Sequence, residues 1–172
     1  MQQKRGWCTL KILVLSDSHS GLSFMRHCIE TIKPQHVIHL GDHYGDATTM
    51  AEEYPYIRFH QVPGNCDTFL REPGMVDTMC YQIGGVKIYM THGHKQGVKS
   101  GIHRLIEEAA EQAPQAILFG HTHEALCFQR QDGTWLMNPG SCRGWSGTVG
   151  LLELADGKIS ACRILGQADL DD

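Results

Sequence analysis

Five short clusters of aspartate, histidine and asparagine carry the chemical interest of this chain. In order they are Asp17-Ser18-His19, Gly41-Asp42, Gly64-Asn65-Cys66-Asp67, Thr91-His92-Gly93-His94 and Gly120-His121-Thr122-His123. Each closes or follows an apolar run. The donors they supply are Asp17, His19, Asp42, Asn65, His92, His121 and His123. That set exceeds the need of one metal ion, and it fits two if Asp42 bridges them. Mixed imidazole and oxygen ligands suit Mn, Fe, Zn, Ni or Co better than Mg or Ca, which prefer oxygen alone. Two divalent ions held roughly 3.5–4 Å apart activate water and stabilise in-line displacement at phosphorus. The chemistry to expect is therefore hydrolysis of a phosphoric ester.

Elements must bring these clusters together. Leu10–Ser16 is a near-continuous apolar run, as a strand buried on both faces should be. Helical spacing at Leu22, Met25 and Ile29 predicts a helix over Gly21–Thr31, and Pro34 breaks the pattern before a strand at Val37–Leu40. A helix at Asp46–Tyr54 and a third strand at Ile57–Val62 complete a β-α-β-α-β order, which implies a parallel sheet with right-handed crossovers. Three successive β-α turns thus deliver Asp17 and His19, then Asp42, then Asn65 to one sheet edge, where α/β proteins place ligands. Within Asp17-x-His19 the i, i+2 spacing sends both side chains to one side of an extended backbone, and His121-x-His123 repeats it.

The second part differs. Gly84-Gly85 between Thr78–Ile83 and Val86–Thr91 is a hairpin signal. A helix at about Ser100–Gln112 leads to a strand at Ala116–Phe119, and two more hairpins centre on Asp132-Gly133 and Asp156-Gly157. Antiparallel hairpins after parallel units suggest two sheets packed face to face with helices outside. At 172 residues the expectation is one domain spanning 1–172, with a core of about 10–166 and a tail from Gln167 that frays.

Composition narrows the classes. A net charge of −4 argues against a reader of nucleic acid through a general basic surface, and no specific nucleic-acid surface is evident. It does not exclude a phosphate substrate, because bound metals reverse the local field. The seven cysteines are scattered without a CxxC pair, so neither a disulfide framework nor a thiolate zinc finger is expected. No apolar run approaches a membrane span, and Ile12–Leu15 is too short for a signal-peptide core. A cytoplasmic protein with reduced thiols and no membrane partner is the expectation.

The five motifs, in this order, resemble those of the calcineurin-like metallophosphoesterases, specifically the small bacterial and archaeal phosphodiesterases. The resemblance runs from Leu10 to roughly Leu154. It implies a four-layer α/β sandwich: two mixed sheets face to face, helices on both outer faces. It implies that Asp17, His19 and His123 hold one metal, that Asn65, His92 and His121 hold the other, and that Asp42 bridges them. The Asn138-Pro139-Gly140-Ser141 turn looks like a family feature closing the same rim. One departure matters. Many larger members carry histidine where this chain has Cys66, and that histidine is their leaving-group acid. A thiol of reference pKa near 8.5 is an unusual general acid. Asp67, His43 and His94 are the other candidates beside it, or the second metal stabilises the leaving oxygen. His27, His36, His39, His60 and His103 lie away from the motifs and read as packing or surface residues.

The resemblance implies a divalent-metal-dependent phosphodiesterase (EC 3.1.4 class), with Mn2+ first and Ni2+, Co2+, Fe2+ or Zn2+ as alternatives. A metal-bridging hydroxide would attack a small phosphodiester in line, with Asp42 and Asn65 serving the reaction as well as the metals. Two other readings stay open: a phosphomonoesterase or nucleotide phosphatase on the same site, and an interaction scaffold like the small retromer subunit of eukaryotic membrane coats. In that subunit the positions equivalent to Asp42 and Asn65 are altered; here both are intact. Small members of the resembled group self-associate, so a homo-oligomer is open, with no interface residue to name.

Overall fold

A computed structural model describes residues 8–70 and 72–171. The first sheet contains β1 (Leu10–Leu15), β2 (His36–His39), β3 (Arg58–Gln61), β9 (Thr148–Ala155) and β10 (Lys158–Gly166), in the order β10-β9-β1-β2-β3. Strands β1, β2 and β3 run parallel, as the alternation of strand and helix signals implied, while β9 and β10 add antiparallel to β1. The second sheet has the order β4-β5-β6-β8-β7, from β4 (Thr78–Ile83), β5 (Val86–Thr91), β6 (Ala116–Leu118), β7 (Leu126–Gln129) and β8 (Trp135–Asn138). It too is mixed: β5, β6 and β8 are parallel, and β4 and β7 are antiparallel edges.

The layering follows from alternation along the strands. In β1, Ile12 and Val14 face the second sheet and meet Ile88, Met90 and Leu118 in an inter-sheet core. Leu13 and Leu15 point the other way, into Phe24, Met25 and Ile29 of α1 (Leu22–Ile32) and Met50 of α2 (Tyr44–Glu53). All four β1 side chains are fully buried, which explains the unbroken apolar run, and each contributes roughly 2 kcal/mol by leaving water. On the opposite outer face, Leu105 and Ala109 of α3 (His103–Ala110) cover Tyr89, Ile117 and Leu136. Helix, sheet, sheet, helix is the expected four-layer order.

Two expectations need correction. The tail does not fray from Gln167. Residues Gln167–Leu170 form a short helix, α4, and Leu170 is buried in the cluster around α1. Apolar burial of one leucine outweighs the polar aspartates around it. Helix α2 also starts at Tyr44, not Asp46. Its leading N–H groups find an acceptor that sequence proximity could not reveal, the Asp67 carboxylate, whose Oδ1 accepts from His43 and Tyr44 at 3.1 and 2.9 Å.

Candidate metal centre

The C-terminal ends of β1, β2, β3, β5 and β6 release the five motifs to one rim. The i, i+2 argument for Asp17 and His19 does not survive: β1 ends at Leu15, and both residues have positive φ, 52° and 40°. Asp42, His121 and His123 share that left-handed region, at 59°, 71° and 61°. Non-glycine residues rarely adopt it, and such strain concentrates at functional sites. The ligands converge through tight left-handed turns, not through the pleat of an extended strand.

Two donor groups result. Asp17, His19 and His123 each offer an atom within 4.8 Å of the others, and so do Asp42, His92 and His121. Asp42 Oδ2 joins them, 3.5 Å from His92 Nε2 and 4.0 Å from His19 Nε2. Asn65 Oδ1 lies 3.1 Å from His92 Nε2, on the side of the second group. All seven donors named from the sequence therefore lie close together at one rim.

Each inner donor is held from behind. Asp17 Oδ2 accepts the Ser16 hydroxyl at 2.5 Å and the His121 N–H at 3.1 Å. Its other oxygen, Oδ1, is buried and accepts no hydrogen bond, while His123 Nε2 stands 3.1 Å away. A buried carboxylate oxygen without a donor is costly, and a cation held among these imidazoles would satisfy it. His92 Nδ1 donates to the Leu40 carbonyl at 2.7 Å, which fixes the ring with Nε2 turned toward the carboxylates. Asp42 Oδ1 accepts the Cys66 N–H at 2.8 Å, leaving Oδ2 for the shared position. The residues present fit divalent cations.

Charge agrees. Burial by itself would raise the Asp42 carboxyl, yet the His92 imidazole and the Cys66 N–H hold it well below the usual carboxylate range. Burial would likewise lower His92, but Asp42 and Asp17 beside it raise it. At the rim, burial lowers His19 and His121, which keeps these imidazoles neutral and able to coordinate.

The description that matches this chain, over residues 10–157, is a calcineurin-like phosphoesterase superfamily domain. The chain belongs to that superfamily. It is 31% identical over 136 residues to the probable metallophosphoesterase YsnB of Bacillus subtilis, covering 78% of this chain and 76% of the relative. It is 28% identical over 168 residues to phosphodiesterase MJ0936 of Methanocaldococcus jannaschii, covering 84% and 93%. Among solved structures, a predicted phosphoesterase from Streptococcus pneumoniae superposes with a TM-score of 0.73 at 22% identity, over 94% of this chain and 91% of that one. Vacuolar protein sorting 29 of Cryptosporidium parvum superposes with a TM-score of 0.71 at 18% identity, over 92% and 98%, a likeness of fold alone. Metal-dependent phosphoester hydrolysis is the chemistry this superfamily membership supports.

Around the superfamily's donor set, the remaining candidates separate. Asp67 was named beside the leaving-group acid; the structure makes it a brace. Besides His43 and Tyr44, its Oδ2 accepts the N–H groups of Asp42 and Gly64 at 2.9 and 2.7 Å, so four amides fill both oxygens. Gly64 must be glycine for the same close approach, since a Cβ there would collide with the Asp42 carboxylate. Cys66 is exposed at the rim, and burial of its sulfur together with Asp42 pushes the thiol up. His94 packs 5.3 Å from His92 and 6.1 Å from His121, with its Nδ1 buried and unbonded, and burial lowers it. His43 stacks edge-on against His19 at 5.0 Å.

Sequence reasoning missed a network beneath the site. His39 Nδ1 accepts the Gly41 N–H at 3.2 Å, and its Nε2–H donates to the Ser18 hydroxyl at 2.9 Å, which donates onward to Asp46 at 2.6 Å. This chain ties the Asp17 turn to the Asp42 turn. The Asn138–Ser141 turn does close the rim: Asn138 Nδ2 donates to the Gly120 carbonyl at 3.0 Å, and the Ser141 hydroxyl to the Asp17 carbonyl at 2.8 Å. The signals of that network in the sequence were only Ser18 beside Asp17 and His39 two residues before Gly41-Asp42.

Two cavities flank the donors. One, of about 380 Å³, is lined by Gly64, Asp67, Leu70, Met75, His94 and Lys95. The other, of about 390 Å³, lies beyond His123 and is lined by Ser141, Arg143, Ser146 and Thr148.

Proposed function

We propose that this protein is a divalent-metal-dependent phosphodiesterase with two ions at one centre, one held by Asp17, His19 and His123, the other by Asn65, His92 and His121, with Asp42 shared. The observation that carries the reading is the unsatisfied Oδ1 of Asp17 at the meeting point of two donor groups joined by Asp42. The donor mixture favours Mn2+, with Ni2+, Co2+, Fe2+ and Zn2+ as competitors. When bound, such ions supply an activated water and neutralise charge developing at phosphorus.

The chain's own residues do the rest. Asp17, Asp42 and His92 are fixed by hydrogen bonds before any ligand arrives, so they spend no reorganisation on the reaction. The flanking cavities leave room on either side of the donors, where the two arms of a diester would fit and a monoester would fill only one. That favours a diester over a monoester. His94, facing the Gly64 side, and Cys66 at its edge are the groups placed to meet a leaving oxygen there.

The test is hydrolysis of a chromogenic aryl phosphodiester beside its matched monoester, with metal-stripped protein and each cation restored in turn. Metal-dependent turnover that prefers the diester supports the proposal. Monoester preference moves the assignment to a phosphatase. Metal-loaded, folded protein with no turnover of either ester makes the scaffold reading the better one.

A further inference from the structure

Two thiols outside the metal centre face each other across the side of the sandwich. Cys127 lies on β7, the edge of the second sheet, and Cys162 on β10, the edge of the first. Their sulfurs are 3.0 Å apart. Even carbon atoms settle at about 3.5–4.0 Å when not bonded, so this pair is already inside ordinary contact. Neither strand pairs with the other through its backbone, since β7 pairs with β8 and β10 with β9. Both side chains pack against the inter-sheet core.

We propose that Cys127 and Cys162 form a dithiol site that a two-electron oxidant such as hydrogen peroxide closes into a disulfide, covalently stapling the two sheets. The pairing is specific by geometry. Cys28 and Cys142 are buried together in the layer between the first sheet and its helices, Cys80 packs under α3, and Cys8 and Cys66 are exposed. None of those stands against either member of the pair across the sheets.

The chemistry balances. A Cys127 thiolate attacks one peroxide oxygen, and the O–O bond breaks to release water and leave Cys127 as a sulfenic acid. The Cys162 sulfur then displaces that hydroxyl as a second water and forms the S–S bond. The two sulfurs lose two electrons and the peroxide gains them; both thiol protons end in water. Either sulfur can donate in this contact, so the same two steps balance with the roles of Cys127 and Cys162 exchanged.

The staple closes a loop of 35 residues. Restricting the unfolded chain in this way raises the thermal midpoint of a domain this size by about 10 °C. The inference is independent of the phosphodiesterase reading.

The experiment treats full-length reduced protein with hydrogen peroxide and maps peptides without reduction. The expected result is a linked Cys127–Cys162 peptide pair lacking two hydrogens, a higher thermal midpoint, and reversal of both by a thiol reductant. Cys127→Ala and Cys162→Ala should abolish the midpoint rise, while a Cys8→Ser/Cys66→Ser variant should retain it. Linkage of either cysteine to another partner, or its oxidation to separate sulfenic or sulfinic acids, overturns the proposal. So does a linked pair whose formation leaves the midpoint unchanged.

Discussion

The inner and outer donors of the metal centre are built differently. Asp17, Asp42 and His92 are 0%, 3% and 0% exposed, and each is fixed by hydrogen bonds to other parts of the chain. The side chains of His19 and His123 are 20% and 47% exposed and owe their placement to left-handed backbone turns. The inner group belongs as much to the fold as to the site, whereas the rim histidines serve the site alone. Loss of an inner donor should therefore cost stability and function together, and loss of a rim donor function only.

The largest effect is expected at Asp42. If Asp42 is shared as proposed, Asp42→Asn removes a charge that both donor groups use, and metal-dependent turnover should fall about a thousand-fold under steady-state assay. A loss under ten-fold would mean that Asp42 joins nothing. The comparison itself is tested by the pair His92→Ala and His123→Ala. His92→Ala leaves two buried carboxylates without their imidazole and should lower unfolding free energy in metal-free denaturant titrations by about 3 kcal/mol. His123→Ala should stay within about 0.5 kcal/mol while losing metal affinity as severely. Equal destabilisation would erase the distinction.

The support beneath the inner donors sharpens it. Complete burial lowers the His39 imidazole to about 4, below its unfolded value near 6.5. Between those values the unfolded chain binds a proton that the folded chain does not, so stability rises with pH. His39's contribution should be complete above pH 6.5 and lost progressively toward pH 4, by about 3 kcal/mol. His39→Gln should flatten that part of the pH–stability profile relative to the native chain; an unchanged slope would show that His39 plays no such part. Asp67→Ala, which strips an acceptor from four amides, should cost about 2 kcal/mol and weaken metal binding by roughly 10–100-fold in a calorimetric titration. A catalytic proton donor would instead lose turnover with stability and affinity intact.

What the sequence made legible was the part governed by local rules. The run Leu10–Ser16, the Gly84-Gly85 turn and the order of β-α units placed the strands, because alternation and turn chemistry act over a few residues. The seven candidate donors stood out because each follows an apolar run in a short motif. The backbone that aims them was not: left-handed φ at Asp17 or His121 leaves no mark on residue type. Nor was the role of Asp67, 25 residues from the Asp42 amide it holds. Leu170 docks on α1 although the residues around it read as solvated, and Cys127 meets Cys162 only after both sheets are assembled. Contacts of this kind depend on topology, so spacing along the chain cannot show them.

The most direct measurement is the metal stoichiometry of the native protein, by titrating Mn2+ into metal-free chain and counting tightly held ions against turnover. Two ions per chain, with turnover rising only as the second site fills and Asp42→Asn holding fewer, is the result this account predicts. Full turnover with a single ion, or with none, would contradict it.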